Sequence, residues 1–471
     1  MKDVEIFPAV YHDTGVSRFA GNPFIEAMPP LEQSKSDFLT NLAHYPAKPS
    51  ATLRRSSEVV RLMELSTIND IVYPFPEYQK AGFTLAKMAR DTYVARHPLT
   101  AMDRQRRHAI ATTGTNGLPM PADWKPSAKG YFMMSVSGQG KTTFAAAALL
   151  RYKQVICHSN YHGADLKCHQ VVYVLLRVPH DATLKSLCLQ FFNEIDRLLG
   201  TDYSRKAAAL RNIAPMVDLM NKVATAVSLG FIVVDEVQNL RSARAQNAEL
   251  VLNLFSEIIE RLGISLLALA TPAVQAVVEG AVRNTRKLAS FGSLVLEPMA
   301  RNSPQWEEFC DTYWDYTFVK TKTKLTKEIL DAWYTASAGN TAFAALAFTL
   351  SQHNEIGGRE IIDATAFQRT AATDMAFLGP AIAALLSKKP AKLRMFDDLL
   401  FSPRYKAMRA LLGAEEPARP KGVKNEEFDD VHEESMPPSP PATKNKKKAT
   451  PRPVEPVDLP LEDPLARETA D

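Results

Sequence analysis

The stretch Ser135-Val136-Ser137-Gly138-Gln139-Gly140-Lys141-Thr142-Thr143 decides how the rest of this sequence is read. It follows a short apolar run, Tyr131–Met134, that reads as a strand. It opens an alanine-rich segment, Thr142–Tyr152, that reads as a helix. Strand, glycine loop and helix in that order make a phosphate-binding loop. Glycines let backbone N–H groups curl around anionic oxygens, and the helix N-terminus adds a favourable field. Lys141 would reach the β- and γ-phosphates of a nucleotide, and the Thr142 hydroxyl would ligate Mg²⁺. Ser135, Ser137, Gly138, Gln139, Gly140 and Thr143 complete the expected nucleotide site. The usual spacing is G-x-x-x-x-G-K-[ST], and here Ser135 stands in the first glycine's place. Serine resists backbone angles that glycine accepts, so this change bears on affinity. The bland reading is a Gly/Ser turn before an alanine-rich helix.

About ninety residues further on, Phe231-Ile232-Val233-Val234 ends in Asp235-Glu236. Four apolar residues predict a buried strand with two carboxylates at its C-terminal end, where open α/β sheets bind their ligands. Asp235 would hold Mg²⁺ through its water shell, and Glu236 would act as general base on the attacking water. Next comes Ala268-Leu269-Ala270-Thr271-Pro272. Thr271 reads either as a polar contact to the γ-phosphate or lytic water, or as the cap of the following helix. Arg283 and Arg286 are three apart and share a helix face. They read either as arginines that reach a neighbouring subunit's γ-phosphate or as a solvated basic face.

The pattern around these motifs is α/β. Strand candidates at Tyr131–Met134, Val171–Val178, Phe231–Val234, Ile264–Ala270 and Ser293–Leu296 alternate with amphipathic helices at Thr183–Leu199 and Asn247–Leu262. Such alternation predicts a parallel sheet covered on both faces. From about 304 to 412 helices take over. The expected organisation is an irregular and helical N-terminal module with connector (1–127), carrying helices at Ser56–Leu65 and Phe83–Ala95. An α/β nucleotide-binding domain (128–302), a helical lid (303–413) and a disordered tail (414–471) follow. The tail alternates prolines with acidic blocks and a lysine block, a composition that cannot bury enough apolar surface to order itself. It reads as a peptide for a protein partner or as a solubilising extension.

Over 471 residues the formal net charge is only +4. That figure hides an asymmetry, because 1–414 nets +9 and 415–471 nets −5. A basic body is compatible with a nucleic acid partner. Four cysteines are too few for a disulfide scaffold and fit a reducing cytoplasm. No apolar run reaches membrane-spanning length, and Met1–Glu5 does not open a secretory leader. Cys157, His158, His162, Cys168 and His169 cluster, but without zinc-ligand spacing. A His/Cys-rich surface loop is the expectation there.

Taken together, the two nucleotide motifs, a strand between them and a helical lid resemble AAA+ ATPases. Further stretches resemble the transposition regulators of the TnsC/TniB type over roughly 80–390. These are Val178-Pro179-His180-Asp181-Ala182-Thr183-Leu184-Lys185-Ser186-Leu187-Cys188 with Phe191-Phe192 and Leu199-Gly200-Thr201-Asp202-Tyr203, Asp235-Glu236-Val237-Gln238-Asn239-Leu240, Gly339-Asn340-Thr341-Ala342-Phe343-Ala344 with Gln352, and Asp91-Thr92-Tyr93-Val94-Ala95-Arg96-His97-Pro98. The resemblance implies a five-stranded parallel sheet of order 5-1-4-3-2 with helices on both faces. It implies ATP and Mg²⁺ as ligands, and a homo-oligomeric ring or filament on double-stranded DNA in a bacterial, nucleoid-associated setting. It also implies transposase subunits and a target selector of the TniQ/TnsD type as partners, with ATP hydrolysis driving disassembly or reset. Lys185, Arg205, Lys206, Arg241 and Arg244 are the candidates for phosphate-backbone contacts, or are plain surface charge. The lid lacks an arginine after Asn340 where many AAA+ proteins carry one. A helicase-loader-type ATPase on single strands, a signalling NTPase that never touches DNA and a non-hydrolysing scaffold remain as alternatives.

Overall fold

The computed structural model describes residues 5–112, 119–242, 245–275, 277, 282–393 and 396. Arg244 and the tail 414–471 lie outside them.

Five parallel strands form the central sheet: β2 (Gly130–Ser135), β5 (Tyr173–Arg177), β6 (Phe231–Asp235), β7 (Ser265–Ala270) and β8 (Ser293–Leu296). Their spatial order is β5-β6-β7-β2-β8. Numbered from the phosphate-loop strand and read from the other edge, that is 5-1-4-3-2. The three central strands, β6, β7 and β2, are buried along their whole length, as a sheet covered on both faces demands. Successive side chains alternate faces, so the strands feed two different cores. Tyr131, Met133, Val233, Leu267 and Leu269 face one. Phe132, Met134, Ile232, Val234 and Leu266 face the other.

The second core is closed by the helices Leu184–Leu199, Ile213–Ala226 and Ala245–Glu257, the last continuing as a π-helical turn to Leu262. Thr183 caps the first of these by accepting from Ser186 N at 3.2 Å, and Gly200 ends it at φ 67°, a left-handed stop that glycine adopts without strain.

The first core extends in both directions along the chain. Phe24, Tyr78 and Tyr93 from the N-terminal region and Trp306, Trp333 and Phe348 from the helices beyond β8 belong to one cluster with Val233 and Leu267. The helix Glu77–Val94 crosses this face. At one end the Tyr78 hydroxyl donates to Gly140 O at 3.1 Å. At the other, the Thr92 hydroxyl donates to Gly230 O at 2.7 Å and accepts from Ser265 N at 3.1 Å, while the Tyr93 hydroxyl donates to Ser228 O at 2.8 Å. Thus Asp91–Pro98, one of the stretches that carry the family resemblance, ties the starts of β6 and β7 together. Arg96 is fully enclosed there, 4.7 Å over the Tyr93 ring, and burial pulls its guanidinium down to about 9.

Two expectations are corrected. The Val171–Val178 run is not one strand: pairing breaks at Val172, where β4 (Ala164–Val171) hands over to β5. The His/Cys-rich stretch is not a surface loop. Its residues lie on a hairpin of β3 (Val155–Tyr161) and β4, which β1 (Ile6–Pro8) extends to a three-stranded sheet. His158 points inward, accepting from the Tyr11 hydroxyl at 2.9 Å on Nδ1 and facing Gln170 Oε1 at 2.9 Å, whereas His162 sits exposed at the turn. Among the described residues no group of three or more His, Cys, Asp or Glu is placed to hold a metal ion.

The C-terminal helices Pro304–Trp314, Lys327–Ser337, Thr341–Glu355 and Ala364–Ala372 pack around Trp306, Trp333, Phe348 and Phe367. Gln352 is fully buried and holds Phe318 N and Tyr316 O at 2.6 and 3.1 Å. Arg61, on the helix Glu58–Glu64, forks onto Glu360 with two bonds of 2.6 and 2.7 Å. That fork, with burial opposing it, holds the Glu360 carboxyl at about 2 against an ordinary 4.5. A depressed carboxylate contributes stability above its unfolded value and loses it as pH falls. We therefore predict that Glu360→Gln costs about 2 kcal/mol at pH 7. The difference from wild type should vanish between pH 4.5 and about 2, read by urea denaturation.

Candidate nucleotide site

At the C-terminal ends of β2, β6 and β7 lies a cavity of about 700 Å³. Four parts of the chain line it: the phosphate loop, the Asp235–Gln238 segment with Thr271, an apolar wall from Ile68 to Tyr78, and the start of the helix Thr341–Glu355.

The loop has the backbone its sequence predicts. Gly138 and Gly140 have φ of 78° and 89°, values that side-chain-bearing residues avoid. They also have no room for one. A Cβ on Gly140 would sit 2.4 Å from the Tyr78 hydroxyl, and one on Gly138 would sit 2.9 Å from Ala342 Cβ. Ser135, by contrast, is the last residue of β2, paired with Leu296, and its φ is not positive. The expected conflict over backbone angles at Ser135 does not arise. The serine acts through its hydroxyl instead. Lys141 Nζ donates to Ser135 Oγ and Ser135 O, both at 3.0 Å, and to Val136 O at 3.3 Å.

Opposite the loop, Asp235 is buried and accepts from the Thr142 hydroxyl at 2.9 Å and from Glu236 N at 2.8 Å. Both oxygen-bearing groups expected to ligate Mg²⁺ are therefore in contact. Glu236 adopts φ 58°, a left-handed conformation that costs a non-glycine residue about 1–3 kcal/mol. Thr271, only 4% exposed, presents a hydroxyl with no hydrogen-bond partner. The Thr341 hydroxyl is likewise buried and unpartnered. Both residues line the cavity.

The structure thus brings Ser137, Gly138, Gly140, Lys141, Thr142, Thr143, Asp235, Glu236 and Thr271 together. Gln139 is buried beside the loop but does not line the cavity. Arg283 and Arg286 are exposed on the helix Val282–Leu288 and stay out of their own chain's cavity. Lys185 and Arg241 are exposed. Arg205 and Lys206 are exposed and both pair with Asp202, at 3.0 and 2.7 Å.

Sequence reasoning missed three contributors. Asn340 donates from Nδ2 to Ser137 O at 2.9 Å, and Ala342 N donates to Gly138 O at 2.9 Å. Tyr78 holds Gly140 O, as described above. Gln238 contacts both Glu236 and Thr271. Only Gln238 carries a local signal, two residues from a carboxylate. Tyr78 and Asn340 are too distant in sequence to be linked to the loop by pattern.

The family described as "AAA domain" matches residues 131–277. No curated protein matches the chain. Among solved structures, the ORC1 protein of Aeropyrum pernix in complex with DNA is similar at 15% identity, with TM-score 0.36, over 70% of this chain and 84% of that one. A Walker-type ATPase of Pyrococcus abyssi is similar at 11% identity, with TM-score 0.32, over 56% and 72%. The ORC2 protein of Aeropyrum pernix, in ADPNP–ADP complexes, is similar at 15% identity, with TM-score 0.34, over 59% and 69%. Among the described residues no single helix is long and apolar enough to cross a membrane.

The Ser135 hydroxyl holds Lys141 Nζ, so a nucleotide phosphate would have to displace it. Removing one hydrogen bond of about 1 kcal/mol should raise nucleotide affinity ~5-fold. We predict that gain for Ser135→Ala and Ser135→Gly in titrations with a fluorescent ADP analogue. Unchanged or weaker binding would show that the hydroxyl does not compete.

Proposed function

We propose that this chain is an ATP-hydrolysing, DNA-binding regulator of DNA transposition of the TnsC/TniB type. In this reading it assembles on duplex DNA with ATP bound and links a target selector of the TniQ/TnsD type to transposase subunits. Hydrolysis then disassembles or resets the assembly. The single observation that carries the ATPase part is the convergence of Lys141, Thr142, Asp235 and Glu236 on one cavity. The transposition part is supported by the ordered resemblance of the Asp91, Val178, Asp235 and Gly339 stretches, and by the +9 net charge of residues 1–414.

The residues present fit ATP with Mg²⁺. Lys141 would leave Ser135 to meet the β- and γ-phosphates, and the N-terminus of the helix Lys141–Leu149 would face their charge. Mg²⁺, held by Thr142 and Asp235, would neutralise charge on the phosphate oxygens. Glu236 would take a proton from the attacking water, and the unpartnered Thr271 hydroxyl would donate to the terminal phosphate. Arg283 and Arg286, exposed on one short helix, would serve a neighbouring subunit's site. Lys185, Arg205, Lys206, Arg241 and Arg244 are the proposed contacts to the DNA backbone. Arg205 and Lys206 would exchange Asp202 for phosphate, since exposed ion pairs are weak.

Glu236→Gln should bind ATP, lose at least ~100-fold in turnover, and trap the assembled state. Electron microscopy with ATP, Mg²⁺ and duplex DNA should show rings or filaments that persist in the variant and decay in wild type. Their mass should fall as salt rises. Monomeric particles with DNA and nucleotide both present would overturn the regulator reading. A preference for single strands would favour a helicase loader.

A further inference from the structure

Gln238 spends both ends of its side chain on the proposed catalytic groups. Its Nε2 donates to Glu236 Oε2, and its Oε1 accepts from Thr271 N at 3.0 Å. The assignment of the two ends is forced. A carboxylate only accepts and a main-chain N–H only donates, so the reversed amide would satisfy neither.

The turn that follows β6 aims Gln238 at the cavity. Val237 and Leu240 on either side are buried in the core beneath the sheet. Asn239 ties the turn down, donating from N to Glu236 O at 2.9 Å and from Nδ2 to Val178 O at 2.8 Å. Gln238 is left facing the same cavity as the two residues it touches. It spans from the tip of β6 to the tip of β7, and its hydrogen bonds hold no other element in place.

We infer that Gln238 is a positioning residue for ATP hydrolysis. By engaging Oε2 it fixes the rotation of the Glu236 carboxylate and leaves Oε1 to accept from water. By accepting from Thr271 N it sets that carboxylate at a constant distance from the Thr271 hydroxyl. The base and the proposed γ-phosphate contact are thereby made one rigid unit. In the step they serve, a water proton passes to Glu236 Oε1 and the water oxygen bonds to the γ-phosphorus. The bridging oxygen then leaves with ADP. Neither Thr271 nor Glu236 has another hydrogen-bonded side chain joining them among the described residues, so the geometry of the pair depends on Gln238. This inference rests on the reading of Glu236 as general base.

The test uses the full chain with Mg²⁺ and ATP, comparing wild type, Gln238→Met, Gln238→Ala, Glu236→Gln and the Glu236→Gln/Gln238→Met double variant. A misplaced reacting group costs up to about 100-fold. We expect kcat to fall roughly 10- to 100-fold in Gln238→Met, with KM for ATP and measured ADP affinity changed less than about 2-fold. In the Glu236→Gln background the same substitution should change the residual single-turnover rate less than about 2-fold, because its target is gone. Gln238→Ala keeps the test alive if the methionine packs badly, and nucleotide binding reports folding for both. Equal losses in the two backgrounds, or an unchanged kcat with Glu236 present, would overturn the role of Gln238 while leaving the base assignment intact. Turnover that survives Glu236→Gln would instead remove the base assignment, and the positioning role of Gln238 with it.

Discussion

A phosphate loop that turns its N–H groups inward must turn its carbonyls outward, and outward-facing carbonyls in a closed site need donors. The structure supplies them from distant parts of the chain. Ser137 O takes the Asn340 side chain, Gly138 O takes Ala342 N, and Gly140 O takes the Tyr78 hydroxyl. Each donor sits on a helix whose own placement depends on the first core, the one shared by the N-terminal region, the sheet and the C-terminal helices. The loop is therefore held from behind by the N-terminal helix and from above by the lid. Neither glycine could carry a side chain without pushing one of those supports away.

This arrangement explains why residues 131–277, the stretch similar to the AAA domain family, do not stand apart from the rest. The apolar wall of the cavity, Ile68 to Tyr78, belongs to the region before the domain. Its far wall belongs to the lid. The helix Glu77–Val94 carries the same logic to the opposite end of the strands, where Thr92 and Tyr93 close main-chain hydrogen bonds at the starts of β6 and β7. The buried fork of Arg61 on Glu360 does the equivalent between the N-terminal region and the lid.

The core of the sheet was legible because burial on both faces writes itself as unbroken apolar runs, as in Phe231–Val234 and Leu266–Ala270. The phosphate loop and Asp235-Glu236 were legible because their chemistry is local. The β3–β4 hairpin was not, because its inward residue His158 is polar and its partners, Tyr11 and Gln170, are set by tertiary packing. β1 has three residues, one of them a proline, too little for any periodicity. Within the site, Lys141, Thr142 and Asp235 could be read from spacing. The contacts of Tyr78 and Asn340 could not, since 62 residues separate Tyr78 from Gly140 and 203 separate Asn340 from Ser137. The expectation for Ser135 failed for a different reason: it placed the substitution in the loop's curvature, whereas the residue ends a strand.

The aromatic packing of the lid gives this chain an optical property. Three of its four tryptophans, Trp306, Trp314 and Trp333, form one cluster with ring centroids within 6.5 Å of a neighbour, and Trp314 and Trp333 pack on Phe348 of the helix Thr341–Glu355. The fourth, Trp124, lies at the opposite end of β7 beside Gly263. Three of the four indoles therefore sit in the lid, clustered beside the helix whose start touches the phosphate loop, so tryptophan fluorescence offers a label-free probe of the lid.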